Sequence, residues 1–590
     1  MRIVRFLRTP TRRRAAASAV VVAALLSTAA CGGDGGDGGG ADSEAAGRNA
    51  GVGKVANPSD KKGGTLEFIG TQDADSWDTT RGYYGFVWNF MRYYTRQLIT
   101  PAAAPGEKGL DLKPDLAKGL AEVTNEGKTY TYELKDDVTW QDGKPVTSMD
   151  VKYGIERQWA QGVLPGGPVY IKDTLDPDGE YEGPYKEPDG FDRIETPDPK
   201  TIVFNLPKAN SDFEEMLAMP SASPVRKDKD TKSKYGQNPF SNGPYKFKTY
   251  EPNKSLVLVR NDKWVRSSDT VRKALPDKVT VDLISNANEL DKRLIAGDYD
   301  LHLKNTGLSP AGRATALQDH EGNVDNPTMG YIRYAAFPQS VKPFDDIHCR
   351  KAVLYGADHK SIQTARGGPV AGGDIGTNML PPMVPGSDKS YDPYGLAKND
   401  GAPNVKKAKE ELKKCGKPNG FKTKIAVRNN EPVEVASAEA LQESLRQIGV
   451  TASVVPYDGA QTSGIIGNPD VVKNKGYGII IMGWGPDFNT VQGYGKPLWD
   501  SQFILENGNN NFALIDEPEI DQAFEDFIDT QDEAEKAKIA ETVNHKVMEG
   551  AYYLPFTFEK ILVWRSDRVT NVYSSYAYSG QYDFASIGVK

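Results

Sequence analysis

The stretch KIAVRNNEPVEVASAEALQESLRQIGVTASV, residues 424–454, decides the fold class. Lys424 to Arg428 carries a short apolar run and predicts a strand. Val435, Ala438, Leu441, Leu445 and Ile448 then fall on one helical face, and Gly449 supplies the stop. Val450, Ala452 and Val454 alternate with Thr451 and Ser453, the period of a half-buried strand. Strand, helix and strand at these lengths imply parallel pairing with the helix laid across it, hence an α/β lobe.

The alternation continues on both sides. Downstream, Ile520, Phe524 and Phe527 mark one helix, Ile539, Val543 and Val547 another, and Tyr552 to Phe558 reads as a strand before a tyrosine-rich tail. Upstream, Asp345 or Asp346 can cap a helix running through Arg350 and Leu354. Thr65 to Ile69 reads as an opening strand. Tyr130, Tyr132 and Leu134 alternate with Thr131, Glu133 and Lys135. After the turn Asp142-Gly143-Lys144-Pro145, Thr147 is placed to cap a helix carrying Val151, Ile155 and Trp159. Asp176, Asp178 and Gly179 form a fragment of a calcium loop, but the third carboxylate and terminal glutamate are out of register. The stretch therefore reads as an ordinary loop, and no metal site is expected.

Composition narrows the function. Lys plus Arg number 72 against 80 Asp plus Glu, a net charge of -8, so a phosphate backbone finds no bulk attraction and no nucleic-acid partner is expected. Three cysteines exclude a disulfide-scaffolded fold, and five scattered histidines lack the spacing of a metal site. No G-x-S-x-G elbow, P-loop, H-E-x-x-H or C-x-x-C occurs. Ser59-Asp60-Lys61-Lys62 matches S-x-x-K only within a stretch expected to be disordered. The reading is a protein that is not an enzyme and needs no cofactor.

Residues 1–30 read as an export signal. Arg2, Arg5, Arg8 and Arg12-Arg13-Arg14 precede an uncharged run from Ala15 to Ala30, too short for a membrane span. Ser27-Thr28-Ala29-Ala30-Cys31 resembles a bacterial lipobox, which implies lipidation at Cys31. Residues 31–60, rich in Gly, Asp, Ala and Ser, read as a flexible tether. Cys349 and Cys415 remain in an exported body, where an even pair permits a disulfide; two separately buried thiols are the alternative.

Several blocks in order resemble the family 5 extracellular solute-binding proteins, the peptide receptors of ABC importers. They are Gly63-Gly64-Thr65-Leu66, Lys113-Pro114-Asp115-Leu116-Ala117, Trp140 through Thr147 with Asp150-Val151, Pro343-Phe344-Asp345-Asp346 with Arg350-Lys351-Ala352, and Gly483-Trp484-Gly485-Pro486-Asp487-Phe488. The resemblance implies a two-lobed, type II periplasmic-binding-protein-like α/β fold with an extra subdomain in the first lobe. By analogy, lobe one spans 61–305 plus 553–590, with the subdomain at 101–195, and lobe two spans 306–552. The chain crosses near Asn305 and Tyr553. It further implies a monomer on the outer face of the cytoplasmic membrane, held through Cys31, with an ABC permease and its ATPase subunits as partners. Its cleft would take an extended peptide. A metal chelate, opine or sugar ligand, or a surface-anchored hydrolase, are the alternatives.

The same resemblance assigns cleft residues. Asp487 matches the aspartate that pairs with a peptide's ammonium. Gly483, Trp484 and Gly485 match a segment that pairs with peptide backbone, with Trp484 packing over the ligand. Counting between Asp78 and Leu98 places the opposing segment at Tyr83-Tyr84-Gly85, where tyrosines replace the family's polar groups. Tyr170 is a candidate lid residue; tyrosine suits such a wall because its ring is apolar and its hydroxyl hydrogen-bonds. The sequence departs from the family after the aromatic, reading Phe488-Asn489-Thr490.

Overall fold

The computed structural model describes residues 47–590. The signal at 1–30 and the lipidation position Cys31 lie outside the described residues.

Two sheets organise the two lobes. In the first, Thr65–Gly70 lies between Lys278–Leu283 and Leu301–His302 and is parallel to both, while Ser255–Arg260 and Tyr245–Glu251 extend the sheet antiparallel. Leu66, Phe68 and Ile69 are fully buried in it. The second sheet has six strands, in the order 374–375, 553–560, 328–336, 479–484, 422–428 and 451–457. Lys422–Arg428 and Thr451–Tyr457 run parallel, joined by the helix Pro432–Arg446. Gly449, at φ +86°, ends that connection, and its carbonyl abuts Gly420 too closely for a side chain there.

A four-stranded antiparallel sheet (122–124, 129–133, 201–205, 194–198) forms the added subdomain. The helix Ser148–Glu156 packs on it behind a complete capping box, in which the Thr147 side chain accepts from Asp150 N and Asp150 accepts from Thr147 N. Thr147→Ala should cost about 1 kcal/mol of unfolding free energy, read as a lower urea midpoint; no change would show the cap to be redundant. The subdomain outruns the expected end at 195. Thr201–Asn205 pairs along Thr129–Glu133, and one apolar core runs from Leu98 to Ala222. A pairing partner beyond a turn-rich stretch leaves no local mark in sequence.

The crossings also differ from expectation. Beyond Asn305 the chain stays with lobe one: Leu308, Ala316 and Val324 pack with Ile69, Leu290, Leu562 and Trp564. Val324–Asp325 pairs with Val563–Trp564, whereas Thr328–Ala336 and Tyr553–Lys560 pair inside the second sheet. The two crossings therefore lie side by side, between Asp325 and Thr328 and between Lys560 and Val563. Tyr553–Phe558 is buried at every position, so its hydrophobicity marks a central strand without saying of which sheet.

The tether reading fails from residue 47 onward. Asn49 N–H donates to the Val324 carbonyl (3.0 Å), Gly51 N–H to Asp325 Oδ1 (3.1 Å), and Ser59 N–H to Asn571 Oδ1 (3.0 Å). Ala56 bridges Val572, and Ala50 and Ala56 are buried. The small residues that suggested disorder let the backbone lie flat on lobe one; a Cβ on Gly51 would come within 2.6 Å of Asp325. Asp325 itself is buried and bonded to Arg565 (3.0 Å) and Tyr582 (2.7 Å). In lobe two, Cys349 and Cys415 are joined as a disulfide, with their Cα atoms 5.5 Å apart.

Candidate ligand-binding cleft

The strand Ile479–Trp484 forms the floor on the lobe-two side. One edge pairs with Thr328–Ala336 as far as Trp484, placing Gly483 opposite Arg333. The other edge pairs with Lys422–Arg428 only at Ile479 and Ile480. Beyond Ile480 that edge has no strand beside it among the described residues. Gly485 lies against the Tyr331 ring, where a Cβ would come within 2.9 Å. Thr490 caps the next helix, Val491–Trp499, which fixes the turn carrying Asp487.

Opposite stands the loop at 75–84. Arg157, fully buried, holds Asp78 through two hydrogen bonds (2.8 and 2.7 Å) and also donates to Thr80 (2.7 Å). Asp75 accepts from Tyr83 N (2.7 Å), and Trp88 Nε1 donates to the Gly82 carbonyl (2.8 Å). So supported, the Tyr83 hydroxyl donates to Asp487 Oδ2 at 2.7 Å. The Tyr170 hydroxyl, at the start of the helix Tyr170–Leu175, donates to the same oxygen. Burial raises the Asp487 carboxyl above its usual range, and the two tyrosine donors temper the rise. Burial and the neighbouring Asp487 push both phenols well above theirs.

The lobes meet in a closed arrangement. Phe488 is buried in the subdomain's apolar core, edge-to-face with Tyr170 at 5.3 Å. Beside it, buried Asp212 of the subdomain accepts from Lys536 Nζ (2.9 Å) and Thr490 Oγ1 (2.5 Å) of lobe two. Ser211 N–H adds a bond to the Ile528 carbonyl (2.9 Å).

A profile of the bacterial extracellular solute-binding proteins, family 5 Middle, matches residues 111–504. The chain belongs to that family. Among curated relatives of this family 5 protein, the oligopeptide-binding protein OppA of Bacillus subtilis (strain 168) is 26% identical over 460 residues, covering 73% of this chain and 76% of that one. The probable D,D-dipeptide-binding periplasmic protein DdpA of Escherichia coli (strain K12) is 24% identical over 519 residues, covering 86% and 88%. Among solved structures, clavulanic acid biosynthesis oligopeptide binding protein 2 superposes with a TM-score of 0.89 at 38% identity, covering 92% of this chain and 99% of that chain. No helix among the described residues is long and apolar enough to cross a membrane.

Of the residues singled out in sequence, Tyr83, Tyr170 and Asp487 meet at one carboxylate oxygen. Gly483, Trp484 and Gly485 border them. Trp484 packs partly on the lobe-two core, and its Nε1 has no partner. Tyr84 does not join the group: its ring stacks on Phe86, and Gly85 begins the helix that follows. The sequence reading missed Tyr331 and the ion pair of Arg333 with Glu559 (both bonds 3.0 Å), which lie beneath Gly483 and Gly485. Their alternation along Thr328–Ala336 was the available signal. A roomier recess of about 400 Å³, bounded by Tyr355, His359, Tyr394 and Lys407, shares no residue with this cleft. Its one buried imidazole, His359, is engaged by the Pro555 carbonyl (3.1 Å) and pushed by burial down to about 4.

Proposed function

We propose that this protein is the substrate-binding lipoprotein of an ABC importer, which closes on the amino-terminal end of an extended peptide and delivers it to the permease and its ATPase subunits. The observation that carries the reading is Asp487: a desolvated carboxylate at the junction of both lobes, beside a strand edge left free past Ile480. A peptide's ammonium would pair with the carboxylate and its backbone would add to the edge, leaving side-chain pockets wet and permissive. The names borne by the relatives, oligopeptide- and dipeptide-binding, support the same ligand class. The adjacent crossings at 325–328 and 560–563 act as the hinge. Export, lipidation at Cys31 and a monomeric state complete the reading.

The test is to titrate the purified protein with defined peptides, an opine and a sugar, reading heat and the radius of gyration. A peptide should bind and compact the protein, and the same incubations should yield no cleavage products. Binding of the sugar or opine alone, or peptide turnover, would overturn the reading. Mass spectrometry should find the lipid on Cys31, and Cys31→Ser should release the protein from membranes.

A further inference from the structure

Residues 404–424 carry eight lysines and two glutamates, a net +6, so the remainder of this -8 chain carries -14. The fold spreads that excess over one outer surface of lobe two. The helix Val405–Lys414 buries Ala408, Glu411 and Leu412 against the lobe core and turns Lys406, Lys407, Lys409, Lys413 and Lys414 to solvent. Lys417 follows in an exposed turn, and Lys422 and Lys424, two apart on the strand Lys422–Arg428, show on one face of it. Lys414 donates to Glu411 (2.7 Å) and Lys424 to the Lys475 carbonyl (2.7 Å). Lys406, Lys407, Lys409, Lys413, Lys417 and Lys422 have no carboxylate partner among the described residues. The platform beneath them is fixed: the Cys349–Cys415 disulfide ties the helix to its neighbour, and His348 Nδ1 lies 2.6 Å from Glu411.

The other side of the lobe has the opposite charge. Ala335 packs with Ala408 and Leu412, while Tyr334 and Ala336 pack with Phe524 and Val543. The lysine helix and the helices Pro518–Asp529 and Glu533–Glu549 therefore cover opposite faces of the six-stranded sheet. Those two helices hold nine carboxylates against three lysines. Several of the acids are met by a cation: Glu519 by Lys546, Glu525 by Lys208 and Lys496, Glu533 by Lys536. The unmatched charge is on the lysine side.

The composition of this face says what it fits. It has no arginine, and its single aromatic, Phe421, packs on the lobe core, so the anchors of a protein interface are missing. A long flexible polyanion would also meet the -14 of the remainder, whereas a flat surface touches this side alone. We propose that the lysine face of 404–424 is a membrane contact, laying lobe two against anionic phospholipid headgroups. Its helix has already spent its apolar residues on the lobe core, so the contact is electrostatic and does not insert. The anchor proposed at Cys31 would keep the protein beside a bilayer, but the face needs no peptide in the cleft to act.

Co-sedimentation with vesicles tests this on the mature protein, from residue 31 and carrying Cys31→Ser so that no lipid of its own contributes. The protein should sediment with vesicles of equal parts phosphatidylcholine and phosphatidylglycerol and stay in solution with phosphatidylcholine alone. Raising the salt to about 1 M, where screening shrinks to roughly 3 Å, should release it. A lysine near such a surface strengthens binding roughly fivefold, so replacing Lys406, Lys409, Lys413 and Lys417 together by glutamine should weaken it by about 100-fold or more. Thermal unfolding should not move, because all four side chains are exposed. Replacing four exposed lysines of lobe one, Lys108, Lys234, Lys248 and Lys263, removes the same charge and should cost less than about tenfold. Equal losses in the two variants, or no preference of the wild type for the anionic vesicles, would overturn the contact. Capture on immobilised polyglutamate without sedimentation on anionic vesicles would overturn it in favour of an acidic protein partner.

Discussion

Asp487→Ala should weaken binding of an amine-bearing ligand by about two to four orders of magnitude while leaving thermal unfolding nearly unchanged. The size follows from burial: an ammonium drawn into the closed cleft without its carboxylate is an uncompensated charge, at about 3–5 kcal/mol. The stability expectation follows from opposing effects. Removing the carboxyl abolishes a desolvation penalty, and leaves the Tyr83 and Tyr170 hydroxyls without their acceptor. Because desolvation raises the Asp487 carboxyl, a proton competes with the ligand's ammonium. Wild-type affinity should then fall as the solution is made acid, and the Asp487→Ala profile should be flat there. Titration calorimetry across pH checks both points. An unaltered affinity in the variant would remove Asp487 from the site.

Asp212→Ala should act differently. Asp212 and Lys536 belong to different lobes and pair with both side chains buried, with Thr490 donating to the same carboxylate. In an open arrangement each would be hydrated. Removing Asp212 leaves Lys536 in the closed form with exposed Glu533, at 3.1 Å, as its remaining hydrogen-bonded carboxylate. The loss falls on closure, at about 3 kcal/mol. Affinity should drop by a common factor near 100 for every ligand, amine-bearing or not, and scattering should show a larger radius of gyration at subsaturating ligand. Loss confined to amine ligands, or no change in the radius, would show that the pair does not report closure. The two substitutions separate recognition from closing.

How much was legible in sequence depended on how local the cause was. The strand–helix–strand at 424–454, the Thr147 cap and a cap at Asp345 or Asp346 are each written within a few residues; the structure has the first two and puts the third at Asp346. The crossings were not legible. Leu308, Ala316 and Val324 meet Leu562 and Trp564 only in three dimensions, and apolar periodicity does not name the partner sheet. Residues 47–60 failed for a related reason, since composition reports what a segment can bury and not the hydrogen bonds a neighbouring backbone offers it. At the cleft, a motif pointed to Asp487 and a count along the chain to Tyr83. Arg157 had no motif: a guanidinium reads as a surface residue until its burial and its contacts with Asp78 and Thr80 are seen.

The seating of residues 47–60 has a mechanical side. Through Asn49, Gly51, Ala56 and Ser59 the segment is stitched to Val324, Asp325, Val572 and Asn571, all on the lobe-one side of the crossings. A leash pulling on this chain from its amino-terminal end would load lobe one at the base of the hinge and exert no torque across the cleft. On the proposed anchoring at Cys31, lobe two could then swing without working against the mooring.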